Sequence, residues 1–277
     1  MNPVVDASSS SSTTNASKTA PFLLCVTGGK GGVGKTCVSA NLALALRSLG
    51  LEVLLVDLDL GLANVDVLFG LDPKKSVRDH LLESIPLQDC LVQGPQSLPI
   101  LPAASGFSDM AEADGTQIDR ILASIRGLEP PPEAVVLDTA AGISPAVLHC
   151  GRTSHELLLV TTPEPAAITD AYGTLKALAS EGSVPPIKLV INLADSLEEA
   201  YRTGNRLVAV ARRFLDLEVE WLGWIPRDIA VQRAGRSQCA FLLDAPGCAA
   251  SRGLRFLASK IATRVRSHRR NHGTVRT

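Results

Sequence analysis

A glycine-rich loop with two lysines is the most informative chemical feature of this 277-residue sequence. The loop follows an apolar run and precedes a segment with helical periodicity, and it has the spacing G-x-x-x-x-G-K-T, which ends at Lys35 and Thr36. Glycines let successive backbone N–H groups surround an anion, and the N-terminus of the next helix adds a positive dipole. We therefore predict a phosphate-binding loop with Lys35 at the β- and γ-phosphates and the Thr36 hydroxyl on Mg²⁺; an ordinary glycine-rich turn is the alternative. The predicted nucleotide-binding residues of the loop are Gly29, Lys30, Gly31, Gly32, Val33, Gly34, Lys35, Thr36 and Cys37.

Three aspartates at the ends of apolar runs supply the carboxylates that magnesium chemistry needs. Asp57 and Asp59 end one predicted strand with a spacing of two, which aims both side chains to the same side. Asp138 ends another apolar run, and Gly142 after it leaves room for a γ-phosphate and a switch loop. Transfer of a phosphoryl group to water requires bound Mg²⁺ and an oriented water molecule, and carboxylates can divide these tasks. We expect Asp138 to hold a magnesium-bound water; simple caps of strand ends are the alternative for these aspartates.

The rest of the chain alternates between apolar strand-like runs and helical stretches. The apolar runs are continuous, as in parallel strands that are covered on both faces. This alternation predicts one doubly wound α/β domain over residues 22–265, with a mostly parallel sheet in a three-layer αβα arrangement. The predicted strands are 22–27, 52–57, 98–101, 134–138, 156–161, 188–192 and 219–225. The predicted helices include 37–49, 117–126, 168–179 and 197–215.

Composition and charge exclude several classes of protein. Lys and Arg total 27 against 28 Asp and Glu, and the formal net charge of −1 excludes a strongly basic nucleic-acid coat. Aromatic residues make up 4% of the chain, which argues against stacking platforms for single-stranded nucleic acid. The six cysteines include no C-x-x-C pair, as is typical of reduced thiols in a cytosolic protein. The sequence shows neither a membrane-spanning apolar run nor a secretion signal, so we expect a cytoplasmic protein.

The two ends of the chain differ from its middle. Residues 1–21 are rich in Ser and Thr and predict a disordered leader. Residues 251–277 contain eight Lys or Arg and no Asp or Glu, so residues 1–250 carry the balance of −9. An apolar stripe along residues 251–265 predicts a helix packed in the core, and residues 266–277 predict a basic tail. Three interpretations of the tail stay open: weak contact with an anionic membrane, contact with DNA phosphates, or a solvated end.

The loop resembles the deviant Walker A motif, because Lys30 stands near its start in the pattern K-G-G-x-G-K-T. This motif is typical of a group of P-loop NTPases that includes MinD, ParA and the nitrogenase iron protein, in which two subunits close over two nucleotides. The resemblance implies that Lys30 reaches the phosphates bound by the other subunit, the role of an arginine finger elsewhere. It also implies that Asp59 orients the attacking water and that Asp57 supports the outer shell of the metal. The residues it places near adenine are Asn192, Pro226, Arg227 and Asp228, for which ordinary turn residues are the alternative.

Longer stretches resemble one branch of this group, the FlhG/FleN regulators of flagellar number. They are residues 59–68, 101–106, 138–143, 168–172 and 213–216. The branch implies a Mg²⁺-dependent ATPase that forms a homodimer with ATP and separates after hydrolysis, with Asn64 and Gly142 in the dimer and switch region. The partners it implies are a flagellar SRP-type GTPase, a flagellar transcription activator and flagellar switch proteins, at the inner face of the plasma membrane. The leader lacks the D-Q-A-x-x-L-R activator motif of many members, and the C-terminus lacks their separate amphipathic membrane-targeting helix.

Several functions compete for this sequence. We rank an ATP-dependent dimerisation switch for flagellar placement or number first. A ParA-type partitioning ATPase would favour a basic DNA-binding surface, whereas residues 1–250 carry −9; a diverged MinD-like positioning paralogue is a further alternative. An iron–sulfur carrier of the same group needs a cysteine pair at the dimer interface, and a synthetase needs an acceptor pocket, neither of which the sequence indicates.

Overall fold

A central sheet organises the computed structural model, which describes residues 20–61, 64–103 and 114–272. Its order is β3-β4-β2-β5-β1-β6-β7-β8, and neighbouring strands are parallel except for the antiparallel pair β3 and β4. The strands of this described sheet are β1 (Phe22–Thr27), β2 (Val53–Leu58), β3 (Val92–Gln93), β4 (Pro99–Leu101), β5 (Ala134–Thr139), β6 (Glu156–Thr161), β7 (Ile187–Ala194) and β8 (Val219–Pro226).

Helices connect the strands and cover both faces of the sheet. The described α-helices are α1 (Lys35–Ser48), α2 (Val65–Phe69), α3 (Val77–Glu83), α4 (Gly115–Arg126), α5 (Pro145–Thr153), α6 (Pro165–Ser180), α7 (Leu197–Leu215), α8 (Ile229–Arg236), α9 (Phe241–Asp244) and α10 (Ala249–His272). Several begin at a side-chain cap that the sequence supplies, because Ser, Asp or Asn oxygens satisfy the free N–H groups of a first turn. Asp114 caps α4 in this way and Ser196 caps α7.

The two sides of the sheet form two hydrophobic clusters. Side chains alternate across β1, so Leu24 and Val26 face one side while Leu23 and Cys25 face the other. The first cluster packs β1 and β2 against α1, α9 and α10, and the second packs the same strands against α3 to α7. The arrangement is a three-layer α/β fold with helices on both faces, as predicted.

The predicted elements are confirmed, with shifts of a few residues at most of their ends. β3 was not predicted, because a two-residue strand carries no periodicity. The predicted apolar stripe of residues 251–265 is buried in the core as part of α10, but this helix continues to His272. The leader up to residue 19 lies outside the described residues, so that part of the domain division stays a prediction. Within the described part of the chain, every helix is too short or too polar to span a bilayer.

Candidate functional site

The loops that follow the parallel strands meet at one edge of the sheet. Asp57 on β2 pairs in register with Asp138 on β5, and Asp138 pairs in register with Val26 on β1. The glycine-rich loop begins directly after β1, so it lies beside Asp138 on the neighbouring strand β5, with Asp57 one strand further along the sheet on β2. The strand order thus brings the predicted phosphate loop and the predicted magnesium ligands to the centre of one sheet edge.

The glycine-rich loop packs tightly on the protein side and is open on the other. Gly34 has a φ of 89°, a left-handed conformation that favours glycine, and it lies directly before α1. Gly29 approaches helix α6 so closely that an added Cβ would lie 2.1 Å from the carbonyl oxygen of Asp170. An added Cβ at Gly31 or Gly32 would meet no atom within 4 Å. The open side therefore has room for phosphate groups.

Lys35 is the buried cation of this edge, with 8% of its surface exposed. Burial lowers the pKa of the Lys35 ammonium group, while the charges of Asp138 and Asp59 oppose that shift. Among the described residues, no carboxylate lies within ion-pair distance of it. A buried ammonium group without a direct partner strongly favours an incoming anion.

Asp138 is the buried carboxylate of the edge. The Ser39 hydroxyl donates to its Oδ1 at 2.8 Å, whereas Oδ2 is buried without a hydrogen-bond partner among the described residues. Burial raises the pKa of Asp138 to about 6, against the effect of hydrogen bonds from Thr36 and Ser39 and of the Lys35 charge. A free carboxylate oxygen near a threonine hydroxyl fits a hydrated Mg²⁺, which takes oxygen ligands and keeps several waters.

The fit to Mg²⁺ depends on ligands from outside the chain. Within the described part of the molecule, no group of three or more His, Cys, Asp or Glu side chains could hold a metal ion. Thr36 and Asp138 therefore provide an incomplete set of ligands, which phosphate and water oxygens would complete.

Asp57 holds the loop after β2. Its Oδ1 accepts the N–H of Asp59 at 3.0 Å, and its Oδ2 accepts the N–H groups of Asn64 and Val65 at 3.1 and 3.2 Å. Burial and the nearby charge of Asp138 raise the pKa of Asp57, and these three backbone donors oppose the rise. Asp57 thus positions the half-buried Asp59 and the exposed Asn64; its predicted place in the outer shell of a metal stays a prediction.

Lys30 lies apart from Lys35, at the exposed rim of the loop. Its Nζ is 3.1 Å from Oε2 of Glu164, the residue before α6, and the two side chains are 39% and 63% exposed. Exposed ion pairs of this kind stabilise a fold by only about 0–1 kcal/mol. Lys30 is therefore held weakly by its own subunit.

Asn192, predicted near adenine, contacts the phosphate loop. Its Nδ2 donates to the carbonyl oxygen of Val33 at 2.8 Å and would lie 2.5 Å from a Cβ at Gly34. Burial raises the pKa of the nearby Cys37 thiol to about 12, so this cysteine is a neutral side chain of the first turn of α1. The structure places both residues at the loop, and their contacts with a nucleotide stay predictions.

The other predicted adenine contacts lie where β8 ends. Pro226 is the last residue of β8, and Nε of Arg227 lies 2.9 Å from Oδ1 of Asp195. Asp228 accepts the N–H of Ala230 at 3.0 Å and so caps α8; this backbone hydrogen bond is the main reason why its pKa is lowered. Both charged side chains therefore have partners in the fold, the backbone N–H of Arg227 donates to the carbonyl oxygen of Ala194 at 2.9 Å, and contacts of this segment with a base stay predictions.

Gly142 begins the predicted switch loop and is attached to the phosphate loop. Its N–H donates to the carbonyl oxygen of Gly28 at 3.2 Å. The side chain of the next residue, Ile143, is 55% exposed. A change at the phosphate loop can therefore reach an exposed apolar side chain through one hydrogen bond.

Sequence reasoning missed three residues of this edge. Ser39 stands four residues after Lys35 and so shares its helix face, which is a usable sequence signal. Glu164 and Asp170 meet the loop only through the tertiary fold, since Glu164 is 134 residues from Lys30. No local pattern could have paired them with the loop.

The chain is similar to known proteins over most of its length. A family described as the CobQ/CobB/MinD/ParA nucleotide binding domain matches residues 24–240. The antiactivator FleN of Pseudomonas aeruginosa is 41% identical over 86% of this chain and 85% of its own length. The flagellum site-determining protein YlxH of Helicobacter pylori is 30% identical over 87% of this chain and 82% of its own. Among solved structures, a MinC:MinD cell division protein complex of Aquifex aeolicus contains a chain with a TM-score of 0.73 and 26% identity, covering 87% of this chain and 96% of that one.

Proposed function

This chain belongs to the CobQ/CobB/MinD/ParA nucleotide-binding domain family, and on that premise we propose that it is an ATP-dependent dimerisation switch that regulates flagellar number or placement and flagellar gene expression. It binds ATP with Mg²⁺, hydrolyses ATP slowly to ADP and phosphate, and acts through its nucleotide state. The observation that carries the proposal is the separation of two loop lysines. Lys35 is buried beside the aspartates, whereas Lys30 lies at the exposed rim.

Within one subunit, the open loop binds the phosphates of ATP. Its backbone N–H groups and the start of α1 face the anion, and Lys35 binds the β- and γ-phosphates. Thr36 and Asp138 are the residues that would hold Mg²⁺. When bound, Mg²⁺ neutralises phosphate charge and so favours attack by water.

Asp59 is the proposed positioning group for that water. Asp57 fixes the backbone of Asp59 through a 3.0 Å hydrogen bond, which leaves the Asp59 side chain beside the phosphate loop. The water oxygen forms a bond to the γ-phosphorus while the bond from that phosphorus to the ADP oxygen breaks. Both protons of the water leave with the released phosphate as H₂PO₄⁻.

Dimerisation is the proposed output of ATP binding. Lys30 leaves the weak pair with Glu164 and reaches the phosphates bound by a second copy of the chain. Val67 on α2 and Ile143 after Gly142 are 54% and 55% exposed, on the segments that follow Asp57 and Asp138. Apolar side chains exposed beside a nucleotide site are typical of an interaction surface, and Asn64 lies in the same segment as Val67.

The proposed partners follow from the relatives. The similarity to an antiactivator supports a flagellar transcription activator as one partner, and the similarity to a flagellum site-determining protein supports flagellar switch proteins as another. A flagellar SRP-type GTPase stays a prediction that rests on the family resemblance. A groove of about 440 Å³ between α6 and α7 offers a partner segment both charged and apolar contacts, because Arg202, Arg206 and Glu199 line it beside Ile168.

Weak contact with an anionic membrane is the remaining proposed interaction. The basic residues that suggested it are partly used inside the molecule, since Arg264 pairs with Glu156 and Glu220. We therefore propose a peripheral and salt-sensitive contact at most, through the arginines near the C-terminus.

The alternative function is a ParA-type partitioning ATPase or a diverged MinD-like positioning paralogue. The same nucleotide chemistry serves all of them, so the discriminating feature is the partner. The charge of −9 on residues 1–250 disfavours contact with DNA phosphates. Strong binding to mixed-sequence DNA in the ATP state would therefore be unexpected for a flagellar switch and would favour partitioning.

The test is the size of the full-length protein in solution with each nucleotide. Light scattering after size-exclusion chromatography should show a monomer with ADP and a dimer with a non-hydrolysable ATP analogue and Mg²⁺. The variant Lys74→Gln, which changes an exposed lysine far from the loop in sequence, is the matched control and should dimerise normally. A monomer at saturating analogue would refute the switch. Restoration of normal flagellar number in Pseudomonas aeruginosa without FleN would then test the flagellar role.

A further inference from the structure

The last turns of α10 cross the edge of the sheet opposite to the nucleotide site. Arg264 Nε lies 3.3 Å from Oε2 of Glu156, at the start of β6, and Arg269 pairs with Glu133, next to the start of β5. Arg266 also donates to the carbonyl oxygen of Leu49, after α1, at 2.8 Å. We refer to residues 264–272 as the C-terminal clasp, because they contact three separate segments of the domain.

Three histidine rings form the centre of this contact. His268 on α10 lies with its ring centroid 4.4 Å from that of His155, before β6, and 4.2 Å from that of His272. Phe22 at the start of β1 stacks on His155 at 5.6 Å and meets the edge of His268 at 5.5 Å. The rings of the clasp and of the sheet edge therefore pack as one aromatic cluster.

The contacts of His155 and His268 require neutral imidazoles. The backbone N–H of Leu23 donates to Nδ1 of His155 at 2.9 Å, so that nitrogen must carry a lone pair. Nε2 of His268 is buried without a hydrogen-bond partner among the described residues, and a charge there would be unpaired. Protonation at either ring therefore removes a hydrogen bond or buries a cation beside another imidazole.

We propose that the C-terminal clasp is a pH-sensitive contact, which is closed when His155 and His268 are neutral and opens when these rings are protonated. Opening frees the arginines of the clasp from the domain. This property is independent of nucleotide binding, since the clasp lies at the other edge of the sheet.

The charged groups around the cluster favour the neutral rings. Burial, together with the charges of His268, His272 and Arg126 at the end of α4, lowers the pKa of His155 to about 4. Burial and His272 also lower the pKa of His268, with an opposing backbone hydrogen bond at Ala20.

The neighbouring carboxylates are already paired with arginines of the clasp. Glu133 contacts Arg269, and Glu156 contacts Arg264. Burial raises the pKa of Glu156, and the charges of Arg264 and Lys188 oppose this rise. Lys188 and Glu220 lie beside it and pair with each other at 2.6 Å.

The sign and size of the effect follow from linkage. A histidine whose pKa is lowered in the closed state stabilises that state fully above its ordinary pKa of about 6.5, and this stabilisation is lost as the pH falls. The pKa of His155 is about 4 in the closed state, and we take it to return to about 6.5 when the clasp opens. The equilibrium constant for closure is then about tenfold lower at pH 5.5 than at a pH well above about 6.5.

Hydrogen exchange of the full-length protein tests the proposal. Protection of residues 264–272, corrected for the intrinsic pH dependence of exchange, should fall about tenfold between pH 7.5 and 5.5. Protection of α6 is the internal reference and should change less than twofold. Equal protection of the clasp at both pH values, or an equal loss in α6, would overturn the proposal.

A variant that keeps an acceptor for the N–H of Leu23 but has no titrating ring at position 155 separates opening by protonation from a general loss of stability in acid. In His155→Asn, the amide Oδ1 can replace Nδ1 as the acceptor for Leu23, and the acid response of the clasp should fall below threefold. His149→Asn is the matched control, because His149 pairs with Asp119 elsewhere on the surface, and its response should equal that of the unchanged protein. If His155→Asn fails to fold, NMR titration of the unchanged protein decides, since a His155 pKa near 6.5 would contradict the proposal.

Discussion

The two edges of the central sheet use the same residue types for opposite purposes. At the edge where the parallel strands end, Lys35 lacks an ion-pair partner in the described structure and Asp138 has a free buried oxygen. At the other edge, Glu156, Glu133 and Glu220 each contact an arginine of α10, although Oε1 of Glu156 is also buried without a hydrogen-bond partner among the described residues. Charges that are paired within the fold hold the fold together, whereas charges that are left incomplete are available for a ligand. This contrast locates the nucleotide site more sharply than the net charge of either edge.

The largest expected effect comes from removing the buried cation. Lys35→Ala should weaken ATP binding about 1,000-fold, because several hydrogen bonds from a charged group to phosphate are lost at about 1.5–3 kcal/mol each. Calorimetric titration with a non-hydrolysable ATP analogue measures this. Lys188→Ala, which removes a paired lysine of the opposite edge, should leave nucleotide affinity unchanged. Retained tight binding by Lys35→Ala would show that the free charges are not a nucleotide site.

Asp59→Ala should separate binding from hydrolysis. We expect turnover to fall about 100-fold, as is typical when a group that activates water is removed, and ATP-bound dimer to accumulate. Phosphate release and light scattering on one sample measure both quantities. Asp72→Ala, at an exposed aspartate paired with Lys74, is the control. A variant that stays monomeric at saturating ATP would contradict the role of dimerisation.

Lys30→Gln should affect the second subunit more than the first. We expect hydrolysis to be about 30-fold slower, because one hydrogen bond from a charged group, worth about 2 kcal/mol, is lost. Nucleotide affinity should change less than threefold. Glu164→Gln is the informative counterpart, because it removes the partner of Lys30 in the monomer and should make dimerisation easier. Normal turnover by Lys30→Gln would exclude a role across the interface.

The raised pKa of Asp138 predicts a pH dependence at the nucleotide edge. If the ionised Asp138 carboxylate holds a magnesium-bound water, as proposed, the affinity for Mg²⁺ should fall as the pH drops through about 6, the pKa of Asp138 in the free protein. About a tenfold loss of Mg²⁺-dependent nucleotide affinity is expected between pH 7 and 5. Titrations with and without Mg²⁺ measure it; equal losses in both would assign the effect to another group.

The smallest expected effect concerns the edge of the sheet where carboxylates pair with arginines of α10. Arg269→Ala should lower the free energy of unfolding by about 0.5–1 kcal/mol, because an ion pair with a half-exposed arginine contributes little. Urea denaturation measures it, and nucleotide affinity should stay unchanged. A change in nucleotide affinity would show that the two edges are coupled, and the contrast between them would then need revision.

Local sequence patterns were sufficient to predict much of the fold and to select the residues of the candidate site. The apolar runs indicated the strands, and the glycine and lysine spacing predicted a phosphate loop, because both patterns depend on neighbouring residues. Contacts across the sheet were not accessible in this way. Three such contacts join segments far apart in the chain. They are the hydrogen bond from Ser39 to Asp138 and the ion pairs of Lys30 with Glu164 and of Arg264 with Glu156.

The basic C-terminus shows most clearly what the sequence pattern could not predict. Its composition indicated a tail after residue 265, whereas the structure continues α10 to His272 and docks its arginines on the domain. The charge of the body and of the C-terminus was a property of composition alone. The strand order decides which carboxylates lie within reach of each arginine. It therefore decides which charges form ion pairs.

The sequence by itself determined the residue types of the phosphate loop, the order of strands and helices along the chain, and the resemblance to flagellar regulators. The tertiary structure decided which charges stay free and which are paired. It did so because parallel strands collect their ends at two edges: the last turns of α10 contact one edge, and the predicted phosphate loop lies at the other.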